Sequence, residues 1–304
     1  GPGADWFVKS KLDGTWQMIS VALDLYSRPI ETPLHNLRPA RETCEQCHWP
    51  TKFHGDKLNV KTVYADDEQN TELKTAVLLK VGGANGRESE GIHWHTDPAN
   101  EIRYRSDETR EEVYEVRLKQ DDGTETVWLD ADAPDEGGMW RTMDCVDCHN
   151  RPSHQYRMPG EEVDDAMHEG RMDKALPFLK REAVRILDQK FKSHEEARLT
   201  ISTELRSFYD ANSPQIADDR AVAIQQAGKV LGDIYSVNVF PEMEVWWNTY
   251  PDHIGHQETQ GCFRCHNRTL QTTEGDRISR RCGSCHNVLA REEENPEILT
   301  KLQR

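Results

Sequence analysis

The sequence predicts an α+β fold organised by four copies of one five-residue motif. Three observations carry that prediction. C-x-x-C-H occurs at residues 44–48, 145–149, 262–266 and 282–286. Short runs rich in Val, Leu and Thr, with turn residues between them, collect between the first and second copies. Runs with helical apolar spacing, roughly 163–236, fill the long gap between the second and third.

Taken in order, residues 1–40 read as a short amphipathic stretch and then a loop carrying Pro29, Pro33 and Pro39. Residues 58–65 and 73–81 read as strands around the polar loop 66–70, and 102–105 as a short third. Residues 113–119 and 125–129 flank Asp121-Asp122-Gly123, a hairpin signal, so a small antiparallel sheet is expected here. Residues 131–138 read as a loop. In the helical part, Leu176, Leu179, Ala183, Ile186 and Leu187 keep one face. Ser193 and Glu196 form a capping-box pattern opening a helix to about Ala211. A third helix is expected from about Asp218 to Tyr235, with Val222, Ile224, Val230, Leu231 and Ile234 apolar.

The chemistry lies in the motifs. All eight cysteines belong to them: Cys44 and Cys47, Cys145 and Cys148, Cys262 and Cys265, Cys282 and Cys285. C-x-x-C-H reads as covalent haem attachment. Two thiols one helical turn apart reach the two vinyl groups of one haem, and the next residue falls under the iron. His48, His149, His266 and His286 are then the proximal ligands. Zinc sites use C-x-x-C pairs without a reason to place His after each one. A redox dithiol needs one such pair, not four. The expected cofactor complement is four covalent haems c.

The fold class is therefore α+β and haem-dominated: one tetrahaem unit over 1–304. Within it, 1–40 is an N-terminal segment, 41–160 holds haems 1 and 2 with the small sheet, 161–240 is helical scaffold, and 241–304 holds haems 3 and 4. A hydrophobic fraction of 36% predicts a thin core of the chain's own, with the haems supplying the missing apolar surface. The net charge of −16 argues against nucleic acid and anionic membrane surfaces as partners. No stretch is apolar for long enough to insert in a membrane, and no signal peptide is visible. Haem attachment to C-x-x-C-H takes place outside the cytoplasm. The expected location is thus the periplasm or cell exterior, and an export signal is expected to have preceded Gly1.

Thirteen histidines less four proximal ones leave nine for the irons' other side. His154 follows the second motif closely and His256 precedes the third, with His253 as its fallback. His93 and His95, at i and i+2 in GIHWH, are expected on one face of a strand, either capping two haems of a close pair or as one ligand and one hydrogen-bonding partner. His54 is held in reserve and His35 competes with it, while His168 and His194 read as surface residues.

WFVKSKLDGTWQ (6–17), RPARETCEQCHWP (38–50), KVGG with GIHWH (80–95), DCVDCHNRPSH (144–154) and GCFRCHN (261–267) resemble the NapC/NirT class of multihaem cytochromes. That resemblance implies a chain that passes quinol-derived electrons to periplasmic or outer-surface redox proteins. The class carries a membrane anchor and early haem motifs. GPGA at residues 1–4 resembles the stretch that follows those motifs, implying the C-terminal portion of a longer design. Three functions are open at this stage: an electron relay without substrate chemistry, a reductase with one open iron, and a self-assembling subunit of a conductive filament. The supply of histidines and the absence of any C-x-x-C-K variant favour the relay over an enzyme.

Overall fold

Residues 2–33, 40–48, 55–84 and 89–302 are described in the computed structural model. The N-terminal part is a 21-residue helix, α1 (Pro2–Ala22), longer than the short stretch expected. It leaves Phe7, Leu12, Trp16 and Ile19 exposed. A short helix, α2 (Ala40–Thr43), leads into the first motif. Among the described residues no helix is long and apolar enough to cross a membrane.

The strands follow within two residues of expectation: β1 (Asp56–Tyr64), β2 (Glu72–Lys80), β5 (Asn100–Ser106), β6 (Val113–Gln120) and β7 (Glu125–Asp130). Between them, β3 (Gly83–Ala84) pairs with β4 (Ser89–Glu90). Burial in β5 alternates strictly, so Ile102 and Tyr104 point inward while Glu101 and Arg103 face water. The single small sheet is a correction. Strand β8 (Met139–Thr142), β9 (Leu270–Gln271) and β10 (His286–Glu293) complete two antiparallel sheets, ordered β1-β2-β10 and β8-β5-β6-β7-β9. Each sheet takes a strand from the C-terminal segment, so the strand structure is not confined between the first two motifs.

The helical part is α3 (Pro159–His168), α4 (Leu179–Leu187), α5 (His194–Asn212), α6 (Pro214–Asp219) and α7 (Ala221–Asn238). Two short helices, α8 (Cys282–Cys285) and α9 (Glu297–Leu302), lie near the C-terminus. Ser193 Oγ accepts from Glu196 N at 3.1 Å, and the Glu196 carboxylate accepts from Lys192 N, one residue before the cap. The helix expected from Asp218 is interrupted at Arg220 and starts anew at Ala221.

The thin-core expectation is corrected here. Leu176, Leu179, Ile186, Leu187, Ile201, Leu205 and Leu231 are fully buried in one cluster with Tyr209, Tyr235 and Trp247. Trp247 Nε1 donates to Leu187 O, so its one polar atom is satisfied. This cluster is an ordinary apolar core made by the chain itself. A smaller core of Ile102, Tyr104, Val113, Val116 and Leu270 lies on the five-stranded sheet, with Trp94 and Cys265 packed against it. Of the motif residues, Cys265 borders this second core, and none belongs to the helical one.

Candidate metal centres

Each motif is a single tight turn. Residues Cys44–Gln46, Cys145–Asp147 and Gly261–Arg264 are 3-10 turns, and the fourth motif is α8. The amide of the motif histidine donates to the first cysteine's carbonyl in the first three: 2.8 Å at His48, 2.8 Å at His149 and 3.0 Å at His266. That bond wraps the two cysteines into one turn and turns the histidine beneath them.

The sheets set where these turns sit. The second motif follows β8, and the third enters β9 four residues after His266. In the other sheet His286 opens β10 opposite Leu79 of β2, and Lys80 Nζ donates to Gly283 O at 2.5 Å. Motifs that are neighbours in sequence lie near one another. Cys145 feels Cys44, Cys148 feels Cys262 and Cys265, and Cys285 feels Cys262.

GIHWH is a 3-10 turn, Ile92–Thr96, and not a strand. Residues i and i+2 therefore diverge around the turn and do not share a face. His93 lies beside His149 of the second motif: burial lowers its pKa, and His149 pushes the same way. His95 lies beside His266 of the third, with ring centroids 5.7 Å apart, and burial followed by His266 lowers its pKa too. His256 faces His286 of the fourth motif at 6.0 Å, and its ring also stacks on Phe263 at 4.3 Å.

The His95/His266 and His256/His286 pairs have the dimensions of two imidazoles on one iron. Each metal–imidazole bond is about 2 Å, so opposite rings have centroids on the order of 6 Å apart. At His95 and His266 the hydrogen bonds leave the right nitrogen free, and the Nδ1 of His93 has the same kind of partner. Nδ1–H donates to Val81 O in His93 (2.9 Å), to Ile92 O in His95 (2.8 Å) and to Ser279 O in His266 (2.6 Å). A carbonyl on Nδ1 fixes the tautomer and leaves the Nε2 lone pair for a metal. His154 Nε2 is buried without a hydrogen-bond partner, an arrangement that a metal bond would relieve, whereas His286 departs from the pattern of the other rings in having its Nδ1 buried and unpartnered. Among the described residues no three His, Cys, Asp or Glu side chains converge as a metal ion held by protein alone would need. A zinc ion takes four protein donors, whereas a haem iron takes two. Burial pushes the Cys148 thiol up to about 12 and Cys265 up to about 11. Neutral thiols of this kind are the opposite of the thiolates of a zinc knuckle or a redox nucleophile. The residues present fit haem.

The other histidines divide clearly. His253 presents Nδ1 to Asp147 O and Nε2 to Glu111 Oε1, so both nitrogens face acceptors and neither is left for a metal. His194 Nε2 donates to Val239 O, and His168 is exposed. His35 and His54 lie outside the described residues. His154 stacks on Tyr156 at 4.2 Å and touches Phe240.

Charged residues inside the motifs were not singled out by sequence. Asp147, in the second motif, is 1% exposed. It takes bonds from Tyr104 Oη (2.5 Å) and Arg141 Nε (2.7 Å), with Arg110 at 3.6 Å. Burial, and then Asp147 itself, holds the Tyr104 hydroxyl far above its ordinary value, so it remains a donor. Arg264, in the third motif, donates to Gly261 O, Arg110 O and Asp147 O. It therefore ties the second motif to the third. A charged residue at an x position carries no sequence signal for such a role.

No protein-family model and no solved structure matches the chain. Over 302 residues it is 44% identical to the cytochrome c-type protein ImcH of Geobacter sulfurreducens. The alignment covers 97% of this chain and 59% of that protein, so the chain spans about three fifths of the length of the curated relative it matches. Along nearly its whole length, the chain is homologous to a c-type cytochrome.

Proposed function

We propose that the chain is a tetrahaem c-type cytochrome segment that relays electrons between extracytoplasmic redox partners. The observation that carries this reading is the two imidazole pairs, His95/His266 and His256/His286, with His93 placed for the same role toward His149. Each pair would close both axial positions of one iron, which suits electron transfer without substrate binding. Bound haem would supply one-electron chemistry between Fe(III) and Fe(II).

The chain's own residues do the rest. The eight cysteines anchor, the motif histidines ligate from one side, and the backbone carbonyls of Val81, Ile92 and Ser279 orient the rings. His154 supplies the remaining ligand, to the iron of the first motif. Its orphaned Nε2 supports this, and the first motif is the one left without an assigned partner. The nearness of motifs that are neighbours in sequence supports a single-file path. A quinol-linked donor at one end, and a periplasmic or outer-surface cytochrome as acceptor, fit the resemblance to the NapC/NirT class. The 44% identity to a c-type cytochrome supports redox partners of this kind.

Haem counting tests the reading. Protein matured in a host that attaches haem c should retain four haems per chain after denaturation and acid–acetone extraction. Fewer than four, or haem that extracts, would defeat it.

A further inference from the structure

Arg264 is 8% exposed, and its Nε, Nη1 and Nη2 donate to Gly261 O (3.0 Å), Arg110 O (2.6 Å) and Asp147 O (2.7 Å). All three acceptors are neutral backbone carbonyls. Among the described residues no carboxylate forms an ion pair with it, and the Asp147 carboxylate is taken by Arg141, Arg110 and Tyr104. Carbonyls orient a guanidinium but do not cancel its charge, and arginine keeps its proton even when buried. A permanent positive charge is thus held away from water between the second and third motifs. Its field reaches Cys148 of the second and Cys262 and Cys265 of the third; the Asp147 carboxylate acts the other way on Cys148 and Cys265, more weakly than Arg264.

We propose that Arg264 sets the reduction potentials of the two central haems, raising both, so that they take up electrons before the outer two. This rests on the reading of the four motifs as haem sites. Reduction adds one electron and no proton to an iron, and a fixed positive charge in a low-dielectric surrounding favours the more negative state. Burial acts in the same direction at the centre. The outer motifs differ in charge: no buried arginine is bonded into them among the described residues, and Lys80 reaches Gly283 O at a solvent-exposed position where water and salt screen it.

The test is a spectroelectrochemical titration with dithionite as reductant, on protein shown beforehand to hold four low-spin haems. In Arg264→Gln two midpoints should fall and two should stay, and Arg264→Lys should restore most of the shift. Unmoved midpoints in Arg264→Gln overturn the proposal. So does Arg264→Lys moving as far as Arg264→Gln, because the charge would then be irrelevant. If the variants do not take up four haems, the wild type decides. His93→Met and His95→Met each move one midpoint and so identify the second- and third-motif haems. Those two must be the first reduced; an outer haem reduced before either overturns the proposal. Fewer than four haems in the wild type defeats the haem reading itself, whereas four haems with unmoved midpoints defeat only the role of Arg264.

Discussion

At Gly91 the chain turns with φ +78°, and a Cβ there would lie 2.3 Å from Lys80 O. Both facts exclude other residues. The turn that follows presents His93 and His95 to two different motifs, so one glycine positions both proposed ligands. Gly91→Ala should therefore disturb two irons together: the protein keeps four haems, but two lose their low-spin EPR signal. A single affected haem would mean that the two histidines are placed independently. His154→Ala should turn one haem high-spin and leave three unchanged, and an unaltered spectrum would remove His154 from the ligand set. Gly261 works in the same way on the third motif. At φ +42° its Cβ would lie 2.0 Å from Gly255 O, in the loop that carries His256. The motif cysteines and histidines were legible in sequence because their chemistry demands fixed local spacing. The partner of each distal histidine was not, because it is set by contacts such as His95 with His266, 171 positions apart. GIHWH misled because alternation resembles a strand, whereas the positive-φ Gly91 before it and Asp97-Pro98 after it bound a short 3-10 turn.

At the scale of elements, β1 and β2 dock on the helices through polar contacts. Tyr64 N donates to Asp164, Lys180 pairs with Asp164 at 2.6 Å, and Asn70 bridges Leu176 O and Lys180 N. Glu72 bonds Lys174 at 2.7 Å; this bond, with help from Lys74, lowers its pKa to about 2. A carboxylate whose folded pKa is depressed adds stability above its unfolded value, and that stability is lost as pH falls through the folded one. The excess thermal stability of wild type over Glu72→Gln should thus be largest near neutrality and vanish between the ordinary glutamate value and about pH 2. An excess independent of pH would refute the pairing. Asp164 shifts upward through burial, and is common to both proteins, so it drops out of the difference. In the helical core, Leu205 is fully buried. Leu205→Ala should cost about 2–5 kcal/mol in denaturant unfolding. The haem midpoints should not move, because that core is separate from the motifs. Strands β1, β2, β5, β6 and β7 were readable from alternation and turn residues. Strand β10 was not: His286–Glu293 begins inside a motif and ends in Arg291, Glu292 and Glu293, and forms only by pairing with β2 across the length of the chain.

For the whole molecule, two bodies of structure divide the work. The helical core is built from the chain's own apolar residues, and the two sheets adjoin the second, third and fourth motifs. Composition alone suggested that haem would replace the core, because an average over 304 residues hides how strongly the apolar residues concentrate in one third of the chain. The central claim is that every iron is closed by two histidines. Low-temperature EPR of the oxidised protein, with haem content measured alongside, tests it most directly. Four low-spin haems with paired-imidazole signals are the predicted result. A high-spin signal from any of the four in the intact protein would contradict it, leaving an open iron and a substrate-binding chemistry that a relay does not need.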